Sequence, residues 1–328
     1  MTPARRARAI GLTALLALGA CTQSAMAPRE TAVSPAPRPS GLRPPPAPAP
    51  EPAPTGQRSS NSRALATYYA RVQNDLLVRG LMRTDGGGPD TQFTDTMLVR
   101  NFEAIALREE YARGEGLRPS EGEASVIKKW VQPVRISPEF GASVPPDLRT
   151  VARNELGVYA RRLAGITGHS ISLSESAPNF HVLFVGEDER NGIVPRIRAL
   201  VPEADPRTLR LFDDLPRSIH CLVIAFSDRL GSFEYARAVA VIRAEHPDLL
   251  RQSCIHEEIA QGLGLANDSP RARPSIFNDD DEFALLTEHD AMLLEILYDP
   301  ALRPGMTPEQ ALPIVRSLAT ELVEGGGT

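Results

Sequence analysis

The sequence predicts an α+β domain preceded by a helical hairpin, and three observations carry that prediction. Between residues 125 and 328 the apolar pattern runs strand, helix, several strands, helix, the order of a mixed sheet with helices packed on it. Residues 63–124 hold two segments of helical period separated by Gly86-Gly87-Gly88. Residues 21–62 are mostly Pro, Ala, Ser and Arg, with almost nothing apolar to bury.

From the N-terminus, Arg5, Arg6 and Arg8 precede an apolar run from Ala9 to Ala20 that is too short to span a bilayer, so residues 1–20 read as a signal peptide. The run ends in Leu18-Gly19-Ala20-Cys21, which resembles the bacterial lipobox. That resemblance implies lipidation at Cys21 and a hold on the membrane through N-terminal acyl chains alone. Thr22, in place of Asp, implies the outer membrane, with the protein facing the periplasm. The alternative is a plain secretory signal whose cysteine is incidental. Residues 21–62, including Arg43-Pro44-Pro45-Pro46, are expected to form an extended, solvated tether, or else a Pro-rich ligand for a partner domain.

Net charge is −5 and the basic residues are scattered, which argues against nucleic acid as a partner. Of the 3 cysteines, lipidation of Cys21 leaves Cys221 and Cys254 as a pair in an oxidising compartment. A disulfide is the economical expectation; two buried thiols that never meet are the other.

Leu65, Tyr69, Val72, Leu76 and Leu81 fall at helical spacing between Arg63 and Met82, and a second helix is expected from Thr94 to Tyr111. Lys128 to Ile136 reads as a strand with an edge or bulge at Pro133. Pro145-Pro146-Asp147 opens a helix carrying Leu148, Val151, Leu156, Tyr159, Leu163 and Ile166 on one face, closed by Gly165 and Gly168. Strands follow at Ser170–Leu173, Asn179–Val185, Ile219–Phe226 and Ala236–Arg243, with a helical insertion at Pro195–Phe212. A helix over Asp248–Leu265 and an amphipathic tail helix over Pro308–Val323 complete the pattern.

The helix from Asp248 contains Cys254-Ile255-His256-Glu257-Glu258-Ile259-Ala260-Gln261-Gly262-Leu263-Gly264-Leu265 and leads to Asn267 and Asp268. It resembles the active-site helix of the metzincin metallopeptidases, in which two histidines one turn apart and a third beyond a glycine turn bind zinc beside a catalytic glutamate. Aligned on Leu263-Gly264-Leu265, the resemblance puts Glu257, Gln261 and Asn267 at the ligand positions and Glu258 at the catalytic glutamate. In the alternative frame His256 is a ligand and Glu257 the general base, with Ala260 where the second histidine would stand. Pro274-Ser275-Ile276-Phe277 matches the methionine turn with Phe277 for Met, and Leu286-Thr287-Glu288-His289-Asp290 through Leu297-Tyr298 keeps the family spacing. The implied fold is a zincin (metzincin)-like mixed sheet over residues 125–328.

Zinc favours imidazole and thiolate, so one carboxylate with two neutral amides implies lost zinc chemistry. The expected cofactor is therefore none, with a divalent cation, calcium or zinc, as the alternative. Gln261 and Asn267 then read as a hydrogen-bond network fixing the helix and its turn, and His256 as a structural histidine beneath it. The stretches 261–270, 274–283 and 296–300 also resemble a domain-of-unknown-function family of bacterial lipoproteins, number 2927. Three functions stay open: an envelope binding or scaffold module that takes a polypeptide or peptidoglycan partner, an atypical metal-dependent hydrolase using Glu258 or Glu257 as general base, and a purely structural lipoprotein whose helical hairpin or stalk meets the cell wall.

Overall fold

A computed structural model describes residues 57–325 apart from 110–119, 121, 203, 205, 211, 213–214, 230 and 279. The predicted signal peptide, Cys21 and the tether up to residue 56 lie outside the described residues. No helix among the described residues is long and apolar enough to cross a membrane.

The described chain starts sooner into structure than its composition implies. Ser59 and Ser62 fall at the end of the expected tether, yet Ser59 caps α1 (Ser60–Val78) by accepting from the Ser62 N–H. The Ser62 hydroxyl is buried and donates to Glu245 Oε1 at 2.7 Å. Serine reads as linker by composition, but it is also a preferred cap.

The two helices expected as a hairpin join different hydrophobic clusters. α2 (Asp95–Ala106) packs on α7 (Glu288–Tyr298) and α8 (Pro308–Gly325), and its Leu98, Phe102 and Ile105 enter the main core. α1 joins a separate cluster in which Tyr69, Leu76 and Met82 meet Leu250 and Ala284. The two helices thus serve different clusters, because each buries its apolar stripe on the surface nearest to it rather than on its neighbour in sequence.

The predicted strand at Lys128–Ile136 is split at Pro133 into β1 (Lys129–Trp130) and β2 (Val134–Phe140). α3 (Pro146–Thr167) begins with proline at its first position and stops at Gly168, whose φ of 61° is left-handed. Then come β3 (Ile171–Leu173), β4 (Phe180–Val185), α4 (Arg190–Leu200), α5 (Pro206–Arg210), β5 (Cys221–Ser227), β6 (Glu234–Arg243) and α6 (Asp248–Leu263). Pro195 sits inside α4 instead of opening it; burial of Ile193 and Ile197 on either side holds the turn that its missing N–H weakens.

The sheet order is β1-β6-β4-β2-β3, all parallel, and β5 alone runs antiparallel, against β6. Phe180, Val182 and Phe184 of β4 face the core shared with α3 and α6. Leu183 of β4 and Val239 and Val241 of β6 face α4 through Ile193 and Ile197. This is a mixed α+β fold with both faces of its parallel strands covered, as parallel sheets require.

Candidate functional site

α6 starts at Asp248, a short link after β6 ends at Arg243, so the strand fixes where the helix starts. Its first turn carries Asp248, favourable at the positive end of the helix dipole. Its C-terminal end lies close against the sheet: a Cβ on Gly262 would sit 2.6 Å from the Phe180 ring. Gly264 has φ 128°, and a Cβ there would come 2.3 Å from the Lys128 carbonyl, so the turn glycine of the motif is required on both counts. The helix's last carbonyls are satisfied from outside it. Trp130 Nε1 donates to the Gly262 carbonyl at 2.8 Å and the Tyr298 hydroxyl to that of Leu263 at 2.9 Å.

Helical periodicity puts Cys254, Glu257, Glu258 and Gln261 on one face of α6, and Gln252, Ile255 and His256 on another. The first face meets β5 through the Cys221–Cys254 disulfide, with Cα atoms 5.9 Å apart. A carboxylate oxygen of Glu257, one of Glu258 and Cys221 Sγ all lie within 4.8 Å of one another. Glu258 is buried and Glu257 half-buried. Among the described residues no strand pairs with the outer edge of β5.

The other predicted ligand positions point into protein hydrogen bonds. Gln261 Nε2 donates to Asp268 Oδ1 at 3.0 Å. Asn267 Nδ2 donates to the Ala104 carbonyl at 2.6 Å and its N–H to the Ile105 carbonyl at 3.1 Å, which ties the turn after α6 to the end of α2. His256 stands apart from the carboxylates. Its ring stacks on Tyr159 of α3, centroids 3.9 Å apart, and its Nδ1 accepts from the Leu286 N–H at 3.0 Å. Burial, reinforced by the Arg162 charge, pushes His256 down to about 3, so it is neutral near neutral pH.

The donor set does not fit zinc. His256 spends Nδ1 on a backbone N–H and packs against α3, and Cys221, being disulfide-bonded, offers no thiolate. Two adjacent carboxylates remain, oxygen donors of the kind a hard cation takes.

The second half of the motif comes together as one unit. Asp290 Oδ1 accepts from the Ser275 hydroxyl at 2.6 Å; Oδ2 accepts from the Ile276 N–H at 3.0 Å and from the Thr287 N–H at 3.1 Å. Phe277, at the methionine position, is fully buried. His289 bridges further: Asn101 Nδ2 of α2 lies 3.0 Å from its Nε2. Sequence reasoning passed over Asn101, Arg162 and the Tyr159–His256 stack. Tyr159 was visible only as one apolar position of its helix, and nothing local marks its partner.

A model of the family described as a protein of unknown function (DUF2927) matches residues 95–317, more than half of the chain. The chain belongs to the DUF2927 family. The DUF2927 match begins at the first residue of α2 and ends within α8, so it takes in Glu257, Glu258, Gln261, Asn267 and the turn held by Asp290, and leaves α1 outside. No curated protein and no solved structure matches the chain.

Proposed function

We propose that this DUF2927 chain is a lipid-anchored protein of the bacterial envelope, held at the outer membrane through Cys21. Its domain has a metallopeptidase-like fold that no longer holds zinc and serves as a binding or scaffold module. The observation that carries this is the fate of the aligned ligand positions: the side-chain amides of Gln261 and Asn267 donate to Asp268 and to Ala104. Meanwhile the turn glycine, the Asp290-bound turn and Tyr298 keep the helix in place. Supporting it are the order β2, α3, β3, β4, then, after the inserted α4 and α5, β5, β6 and α6, which keeps the strand–helix–strands–helix order the resemblance implied, and the disulfide, at home in an oxidising compartment.

The surface the module would offer to a partner is the outer edge of β5, beside the α6 face that carries the half-buried Glu257. An extended polypeptide, or the peptide of a glycan wall, would add to that edge as a strand. The proximity of the Glu257 and Glu258 carboxylates favours a second function, a metal-dependent hydrolase with Glu258 or Glu257 as base around a hard cation.

Metal analysis by mass spectrometry separates the two, using the full chain purified without chelator or metal-affinity resin. The binding module predicts no stoichiometric metal. About one ion per chain, lost in Glu257→Gln and Glu258→Gln, would establish the hydrolase site instead. Anchoring is tested by labelled palmitate, whose incorporation should vanish in Cys21→Ala.

A further inference from the structure

On the side of α6 facing away from β5 lies a groove of about 430 Å³ between α3 and α6. Its walls include Val151, Val158, Tyr159, Ile255 and His256, with Arg162 also lining it. Val151 and Val158 are 44% and 60% exposed, so water now covers two apolar side chains that a ligand could cover instead. The volume lies within the range of small-molecule sites.

The polar groups in the groove are donors. The Leu286 N–H donates to His256 Nδ1, so the neutral ring carries its proton on Nε2, and among the described residues nothing accepts from that nitrogen. Arg162 gives one N–H to the Leu286 carbonyl at 3.1 Å and makes no ion pair among the described residues. The carboxylate in the lining, Glu155, is already taken: Arg251 donates to it twice at 3.1 Å and Gln252 once at 2.9 Å. The free charge of the groove is therefore positive and sits with the His256 donor. From Arg162 the apolar strip runs back along α3 through Val158 to Val151, two turns or roughly 10 Å further on.

We propose that this groove binds a small amphipathic carboxylate, an acyl chain with a free acid head. The head takes hydrogen bonds from Arg162 and His256 Nε2, and the tail lies along Val158 and Val151. A guanidinium and a fixed-tautomer imidazole N–H recognise a carboxylate by charge-assisted bonds, and the apolar strip sets the length of tail that gains from burial. The site is independent of the β5 edge, since it uses the opposite side of α6.

Isothermal titration calorimetry on the full-length Cys21→Ala chain, which has no cysteine to acylate at that position, tests it with decanoate, decylamine and acetate as probes. Decanoate should bind saturably at one per chain, at least tenfold tighter than decylamine, which has the tail but the wrong charge, and than acetate, which has the head alone. Arg162→Ala and Val158→Ser, both at exposed positions, should each weaken decanoate at least tenfold while leaving the thermal midpoint in place. Equal affinity for decylamine, or decanoate binding unchanged in both variants, or no saturation, would overturn the proposal. So would sedimentation showing a dimer that Val158→Ser dissociates, because the groove would then belong to a second copy.

Discussion

Asp290 holds Ser275: the Ser275 hydroxyl donates to its carboxylate at 2.6 Å in a fully buried site, and the Ile276 and Thr287 N–H groups donate beside it. Burial pushes the carboxyl up, but hydrogen bonds from His289, Ser275 and Ile276 outweigh it and keep it below its ordinary value of 3.8. A depressed carboxylate stabilises the fold above its unfolded pKa and loses that contribution as pH falls through the folded one. Asp290→Ala takes the acceptor from the Ser275 and Thr287 hydroxyls, the Ile276 and Thr287 N–H groups and His289 Nδ1, and should cost roughly 3–5 kcal/mol in denaturant unfolding at neutral pH. A loss under about 1 kcal/mol would mean that the turn holds itself.

Gly262 and Gly165 make a paired test of how closely α6 lies on the sheet. A Cβ on Gly262 would meet the buried Phe180 ring at 2.6 Å and Val223 Cγ2 at 3.2 Å, whereas nothing lies within 4 Å of one on Gly165 in α3. Alanine gains about 1 kcal/mol of helix propensity at either position, but overpacking at Gly262 costs about 1–3 kcal/mol. Gly165→Ala should therefore raise the unfolding midpoint and Gly262→Ala lower it. A stabilised Gly262→Ala would show that the contact with Phe180 is loose.

Much of this arrangement was legible in the residues themselves, and the parts that were not share one physical cause. Pro145-Pro146, Gly168 and Gly264 mark helix ends because fixed or positive φ is a property of the residue, independent of what packs nearby. Cys221 and Cys254 could be paired by elimination. The partner of Asn267, by contrast, is the carbonyl of Ala104, 163 positions away, and no local pattern announces it. α1 gave a clear helical period but no sign of where it would dock, since Tyr69 and Leu76 fit any apolar surface equally well. His256 was separable from its neighbours by helix face, yet only the fold shows that this face meets Tyr159.

His256 should give the protein an acid limb. Its folded pKa, about 3, lies below its unfolded value near 6.5, so between those values the unfolded chain binds a proton that the folded chain refuses. Stability is then highest above pH 6.5 and falls as pH drops toward 3, by up to about 1.4 kcal/mol per pH unit. His246 and His220 are also pushed down by burial and act in the same direction, so His256→Gln should flatten the limb rather than abolish it. Gln can still accept from the Leu286 N–H, which separates the proton effect from loss of that bond. Unfolding free energies from pH 4 to 7 that run parallel in the two proteins would rule out His256 as a source of the slope.

The Cys221–Cys254 disulfide should be worth more than a contact of its size, because it closes a span of 33 residues and joins β5 to the face of α6 that carries Glu257 and Glu258. Chain-entropy arguments put such a cross-link at about 3–4 kcal/mol. The double variant Cys221→Ser, Cys254→Ser should lose about that much in guanidinium unfolding, and reductant should lower the wild type to the same level while leaving the variant unchanged. Since β5 pairs with one strand only among the described residues, its hold on α6 also depends on this bond. Hydrogen exchange along residues 221–227 should accordingly quicken more in the variant than exchange along β4. Equal protection of the two strands would mean that β6 alone fixes β5, and that the disulfide stabilises only through the unfolded chain.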